Sequence, residues 1–86
     1  STAATWMRPV DIARISSATA QQLPGARSAH SKISKKKLRV VIEGDVNDSS
    51  LPQRAEEAIT RKLAFLQNPP AIDVSVENEH SQEGVS

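Results

Sequence analysis

Two alternating segments in the second half of the chain decide the fold: KLRVVIE at positions 37–43 and AIDVSVE at positions 71–77. In the first, apolar side chains occupy every second position, Leu38, Val40 and Ile42. The second repeats this pattern and adds acidic residues on the alternate positions. A repeat of two residues is typical of a strand with one buried face. We therefore predict strands at about 37–43 and 71–77.

The segment between them predicts a helix at about 51–67. Ser50 and Gln53 have the spacing of a capping box, and Asn68 is followed by two prolines that end the helix. Apolar residues recur at intervals of three and four, as one buried helical stripe requires. They are Leu51, Ala55, Ala58, Ile59, Leu63 and Leu66.

A strand, a helix and a strand in this order predict a minimal β-α-β unit of the α+β class, in which a crossover joins two parallel strands. Such a unit has roughly 40 residues, near the length below which chains usually need a metal, a disulfide or a partner. It also leaves open strand edges. We expect the isolated chain to oligomerise or to remain partly unfolded. The alternative is an N-terminal segment that folds back as a further element.

Residues 1–36 are rich in Ser, Thr, Ala and Gln and show no sustained period. The pattern predicts a flexible basic N-terminal arm, with a short helix near 10–23 if a partner completes its contacts. The structured unit then covers 37–77, and 78–86 form a polar C-terminal tail.

Charge is divided along the chain. Residues 1–42 carry eight Lys or Arg and one acid, whereas residues 43–86 carry three Lys or Arg and nine acids. Such segregation indicates that the two halves meet different partners, or that the basic part of one chain meets the acidic part of another.

Candidate partner-binding residues lie in the basic half. A cluster of cations between 27 and 39 suits phosphates or an acidic protein surface, and the alternative is a solvated linker. The tryptophan and methionine at positions 6 and 7 suit a buried anchor, with an exposed tail residue as the alternative. The predicted set is Trp6, Met7, Arg27, Lys32, Lys35, Lys36, Lys37 and Arg39.

Catalysis is not predicted. The chain has no cysteine, and its two histidines, His30 and His80, lie in predicted tails. Asp45, Asn47, Ser49 and Glu56 match part of a calcium loop, but Ser50 stands where that loop needs glycine, so a turn explains them better. We expect no enzyme activity, no metal and no cofactor.

The order of elements in residues 37–77 resembles the opening strand, helix and strand of ribosome hibernation-promoting factors. This likeness covers about half of the chain, rests on pattern and lacks the later elements of that family, so it assigns no membership. The leading hypothesis is a non-enzymatic structural or assembly subunit of a larger homo- or hetero-oligomeric complex, which uses its basic N-terminal arm and open strand edges to bind neighbouring protein subunits. The alternative is a nucleic-acid-binding accessory protein of a ribonucleoprotein that contacts phosphates through residues 27–39. The lack of cysteine and of a membrane span favours the cytoplasm or another reducing compartment, or a particle assembled there.

Overall fold

The computed structural model describes residues 6–78. Two helices and three strands alternate in a two-layer α+β arrangement. In chain order they are α1 (Pro9–Gln21), β1 (Ala26–Ser34), β2 (Lys37–Gly44), α2 (Leu51–Lys62) and β3 (Ala71–Glu77).

The three strands form one sheet in the order β1-β2-β3. A hairpin whose turn contains Lys35 and Lys36 joins β1 to β2 in antiparallel pairing, with Ser34 opposite Lys37. The pairing of β2 with β3 is parallel, and Val40 lies opposite Val74. The predicted strand-helix-strand unit with parallel strands is thus confirmed.

Both helices cover the same side of this sheet, which we call the helix face. Helix α1 packs on β1, α2 packs on β3, and the two helices contact each other. The central strand β2 turns Leu38, Val40 and Ile42 into this layer, where each is fully buried. The other side, the open face, carries mostly polar and charged residues. The core is consequently aliphatic and lies between β2 and the two helices.

The prediction of a flexible arm at residues 1–36 is wrong for the described part of that segment. Residues 9–21 form α1, and residues 26–34 form β1. The helix predicted near 10–23 does form, but the chain's own strand β1 covers it. The prediction failed partly because a serine occupies a core position of α1, where the sequence pattern would require an apolar residue. Ser16 is fully buried, and its hydroxyl donates to the Ile12 carbonyl over 2.7 Å. A helix satisfies a serine hydroxyl in this way without losing its backbone hydrogen bonds.

Strand β1 was hidden for a related reason. Its helix-face positions hold Ala29, Ser31 and Ile33, only one of which is a large apolar residue. The hydroxyl of Ser17 on α1 donates to that of Ser31 over 2.7 Å, so part of the contact between α1 and β1 is polar. Because α1 and β1 add residues to the core, the folded part is larger than the β-α-β unit and does not require a partner on grounds of size.

Helix α2 ends at Lys62, earlier than predicted. Leu63 and Leu66 nevertheless remain buried from the turns that follow it, with 1% and 7% of their surface exposed. The tail predicted for 78–86 lies, apart from Asn78, outside the described residues.

The predicted capping box at the start of α2 is also wrong. Ser50 has helical backbone angles and makes no capping hydrogen bond with its side chain. Instead, Asp48 Oδ1 accepts hydrogen bonds from the Ser50 amide at 3.0 Å and from the Ser50 hydroxyl at 2.7 Å. Its Oδ2 lies 2.8 Å from Arg54 Nη2. Asp48 therefore accepts the Ser50 amide, which a capping box would have left to the Gln53 side chain.

These contacts predict a pH dependence of stability. The two hydrogen bonds from Ser50, and then Arg54, hold the pKa of Asp48 below its usual range, although partial burial opposes them. A lowered folded-state pKa stabilises the fold above the unfolded pKa of about 3.9, and this stabilisation is lost as the pH falls through the folded pKa. We expect Asp48→Asn to lower the free energy of unfolding at pH 7 and to differ little from wild type in strong acid.

Denaturant titrations of both proteins across this pH range measure the effect. Asp45→Asn is the matched control, because Asp45 Oδ1 also accepts a turn amide, that of Asn47 at 2.9 Å, but Asp45 forms no ion pair among residues 6–78. A gap between wild type and Asp48→Asn that stays constant with pH would contradict the assignment.

Candidate interaction surfaces

The basic residues predicted to bind a partner lie mainly at one end of the sheet, which we call the hairpin end because the β1-β2 turn is there. Lys35 and Lys36 form the turn, and Lys35 has a left-handed backbone with φ 57°. On the open face beside it, Lys32, Lys37 and Arg39 are exposed and line a shallow pocket of about 260 Å³ together with Ser34. Five cations therefore share this end of the molecule.

The arrangement of these cations costs stability. Lys32 lies directly opposite Arg39 in the antiparallel pair, and like charges in this position are destabilising. Asp73 on β3 offsets part of the cost, since its Oδ2 lies 3.6 Å from Arg39 Nε. Both side chains of this ion pair are more than half exposed, so it contributes little. An anionic partner would relieve the remaining repulsion.

Trp6 and Met7 lie at the same end, on the side of the helices. They line a small groove with Ile12 at the start of α1 and with Leu66, Gln67 and Asn68 after α2. Met7 packs against the core, whereas 72% of the Trp6 surface is exposed. The chain then reaches Ala71, whose amide donates to the Lys36 carbonyl over 2.9 Å. This hydrogen bond joins the loop beside the Trp6 groove to the basic turn.

Arg27 is the member of the predicted set that lies elsewhere. It occupies the irregular pairing between Ala26 and Ser28 at the beginning of β1, at the opposite end from the hairpin. It lines a pocket with Gly25, Gly44, Asp45 and Asn78. The structure thus groups seven of the eight predicted residues at one end and separates Arg27 from them.

The outer edge of β3 is a second candidate surface. Among residues 6–78, no strand pairs with this edge. The Ala71 amide points toward β2, and amide directions alternate along a strand, so the amides of Ile72, Val74 and Val76 point outward. The side chains of the same three residues lie on the helix face and are half buried. Beside them, Val74 and the outer side of α2 line an open groove of about 600 Å³.

The two edges of the sheet are protected differently. Edge strand β1 has an irregular pairing at Arg27 and a lysine at position 32, and both features discourage pairing with another chain. Edge strand β3 contains neither a lysine nor a proline, and its pairing with β2 is regular from Ala71 to Glu77. Sequence reasoning predicted open edges but could not say which of them would be unprotected.

Residues 6–78 show neither a metal-binding cluster nor a membrane-spanning helix. No group of three or more His, Cys, Asp or Glu there is placed to hold a metal ion. None of the helices in this range is both long enough and apolar enough to span a bilayer.

Comparison with solved structures identifies the fold. The chain is similar to MamM CTD in a manganese form, with a TM-score of 0.62 and 13% identity over 84% of this chain and 100% of the other. It is also similar to a nickel form, with a TM-score of 0.63 and 14% identity over 83% of this chain and 99% of the other. For a copper form the TM-score is 0.62 and the identity 13%, over 88% of this chain and 91% of the other. These neighbours have a ferredoxin-like fold. No protein-family model and no curated protein sequence matches the chain.

Proposed function

We propose that this chain is a non-enzymatic assembly subunit that binds an acidic surface of another protein through its hairpin end. The observation that carries the proposal is that an exposed tryptophan on the helix side and five cations of the turn and open face lie at the same end, although Trp6 and the lysine run lie about 30 positions apart in sequence. Tryptophan supplies apolar contact area at interface hot spots. Surrounding cations steer and orient an acidic partner.

The solved neighbours support only the fold in this proposal. Their names refer to MamM CTD in manganese, nickel and copper forms, which describes those proteins. A small α+β domain of this shape is a suitable scaffold for an interaction surface, but it carries many functions. The proposal therefore rests on the residues at the hairpin end.

A second function is favoured by the like-charge pair of Lys32 and Arg39 on the open face. Phosphates would neutralise this pair together with Lys37 beside it. Apart from the exposed His30, the open-face positions of the three strands contain no ring side chain, and no Trp, Tyr or Phe, for base stacking. Contact with nucleic acid there would consequently follow the backbone and be blind to sequence.

The test is replacement of Lys35, Lys36 and Lys37 by glutamine. We expect the fold to survive, because all three side chains are exposed and the Lys36 carbonyl that binds Ala71 is retained. Affinity for a protein partner should fall about tenfold, since exposed ion pairs are each worth roughly 0.2–1 kcal/mol. Trp6→Ala should weaken the same interaction by removing apolar contact area, and this loss of affinity should not depend on the salt concentration.

The measurement is affinity purification from native extract with and without nuclease, followed by salt titration of the captured partner. The matched control replaces Arg14, Arg61 and Lys62 by glutamine, which removes the same charge from exposed positions on the helices. Proteins retained after nuclease and lost only with the hairpin variant support the assembly function. Capture that nuclease abolishes, with a salt slope reduced by up to about three in the hairpin variant, supports phosphate binding instead. Equal losses in the two triple variants would contradict both.

A further inference from the structure

We propose that the open edge of β3 pairs with β3 of a second copy of this chain. The inference rests on the proposed assembly function and names one of the partners. In this arrangement two antiparallel β3 strands join two sheets into one, with the helices of both copies on the same face. The outward amides and carbonyls of Ile72, Val74 and Val76 then bind the same groups of the second copy.

The distribution of charge along β3 selects one register, in which Val74 lies opposite Val74 of the second copy. Ile72 then opposes Val76, so that only apolar side chains meet on the helix face. On the open face Asp73 opposes Ser75, and Glu77 opposes Ala71. Each carboxylate therefore has an uncharged residue directly across from it.

Neighbouring registers are worse. A register centred on Asp73 would place this residue opposite Asp73 of the second copy. A register centred on Ser75 would place Asp73 of each copy opposite Glu77 of the other. Like charges in these positions are destabilising. The strand is thus complementary to itself in one register, which is what a two-fold interface requires.

Pairing would also cover apolar surface that the single chain leaves accessible. The helix-face side chains of β3 are half buried, although their counterparts on β2 are fully buried. The groove beside α2 gives access to one of them, Val74, from outside. A second copy of Ile72, Val74 and Val76 would extend the apolar row along the groove floor.

The absence of cysteine from the chain allows a direct test, since a single introduced thiol has no competing partner. Residues opposed as hydrogen-bonded antiparallel pairs have Cα atoms about 5.5 Å apart, within the range of a disulfide. Val74→Cys should therefore form a disulfide-linked dimer with oxidised glutathione. Asp73→Cys and Ser75→Cys should not, because each would lie diagonal to its copy, about 7–8 Å away.

A second measurement does not depend on oxidation. Sedimentation of the wild-type chain should show dimers, and Val74→Lys should raise their dissociation constant at least about tenfold by placing a cation in the shared apolar row. Ser75→Lys, on the open face of the same strand, is the matched control for folding and added charge. Circular dichroism should show that both variants retain the fold.

Cross-linking that peaks at position 73 or 75 would overturn the register, and monomers at every concentration would overturn the dimer. Failure of this inference can be told apart from failure of the proposed function. A chain that is monomeric but still captures proteins through the hairpin end refutes only the β3 pairing. A chain that dimerises through Val74 but captures nothing through that end refutes only the hairpin interaction.

Discussion

Replacing Ile59 or Leu63 by alanine is expected to lower the free energy of unfolding by about 2–5 kcal/mol, the usual cost of removing a large aliphatic side chain from an enclosed site. Ile59 is fully buried and Leu63 is 1% exposed. They belong to the same core cluster as Leu38, Val40 and Ile42 of the central strand. Alanine at either position would leave a cavity that the sheet on one side and α1 on the other cannot easily fill.

Denaturant unfolding of each variant measures this loss. Thr60→Ala is the matched control, because Thr60 neighbours Ile59 in sequence but is exposed, and its replacement should change stability by less than about 0.5 kcal/mol. Comparable losses at Thr60 and Ile59 would mean that α2 buries a different side.

Arg54, although polar and on the same helix, is not a neutral control. Its Nη2 lies 2.8 Å from Asp48 Oδ2 and 3.4 Å from the Pro24 carbonyl oxygen, and its Nε donates to the Ser50 hydroxyl at 3.1 Å. The residue thus joins the start of α2 to the turn that precedes β1. Its replacement should therefore lower stability, since two of its partners, Asp48 and Pro24, lie outside α2.

Gly44→Ala is the second change with a large expected effect. A Cβ atom at Gly44 would collide with the backbone carbonyl oxygen of Gly25, and also come within 3.2 Å of the Ala26 Cα. Neither obstacle is a flexible side chain, so the end of β2 and the beginning of β1 would have to separate. We expect a loss of at least about 1–3 kcal/mol, as for other overpacked sites.

The thermal midpoint and the free energy of unfolding of this variant provide the measurement. Gly25→Ala serves for comparison, because its φ of 95° is strained for alanine while the nearest atoms lie 3.7 Å away. Gly25→Ala should lower the free energy of unfolding only by the cost of a left-handed backbone at alanine, about 1–2 kcal/mol. A stable Gly44→Ala protein would show that β1 and β2 do not approach each other as closely as the structure places them.

The second half of the fold was predictable because each of its elements carries a regular apolar pattern. Strand β3 was predicted at its observed bounds, and β2 was predicted to within one residue. In the first half, the helix near 10–23 was predicted only with a partner to complete its contacts, and β1 was not predicted, because α1 and β1 use Ser16, Ala20, Ala29 and Ser31 where a periodic pattern would show large apolar residues. Small side chains let α1 lie close to β1, but they give no periodic signal.

The candidate site was predictable in its residue types but not in its arrangement. Clustered cations and a lone tryptophan are visible in the sequence. Their placement at one end of the molecule depends on the hairpin that connects β1 to β2 and on the loop that connects α2 to β3. The same topology removes Arg27 from the group. Which strand edge remains unprotected follows only from the sheet order, because β1 was not predicted as a strand.

Amide hydrogen exchange, resolved by residue, tests the central claim that the chain assembles through the hairpin end and the β3 edge. It should be followed in dilute chain, in concentrated chain and in the nuclease-treated complex. In dilute chain, the outward amides of Ile72, Val74 and Val76 should exchange fast, while the intervening amides of β3 that bind β2 are protected. Concentration should protect the outward amides, and the complex should also protect amides at 34–37 and 66–68. Outward β3 amides that exchange equally fast in all three samples, together with an unchanged hairpin end in the complex, would contradict the account.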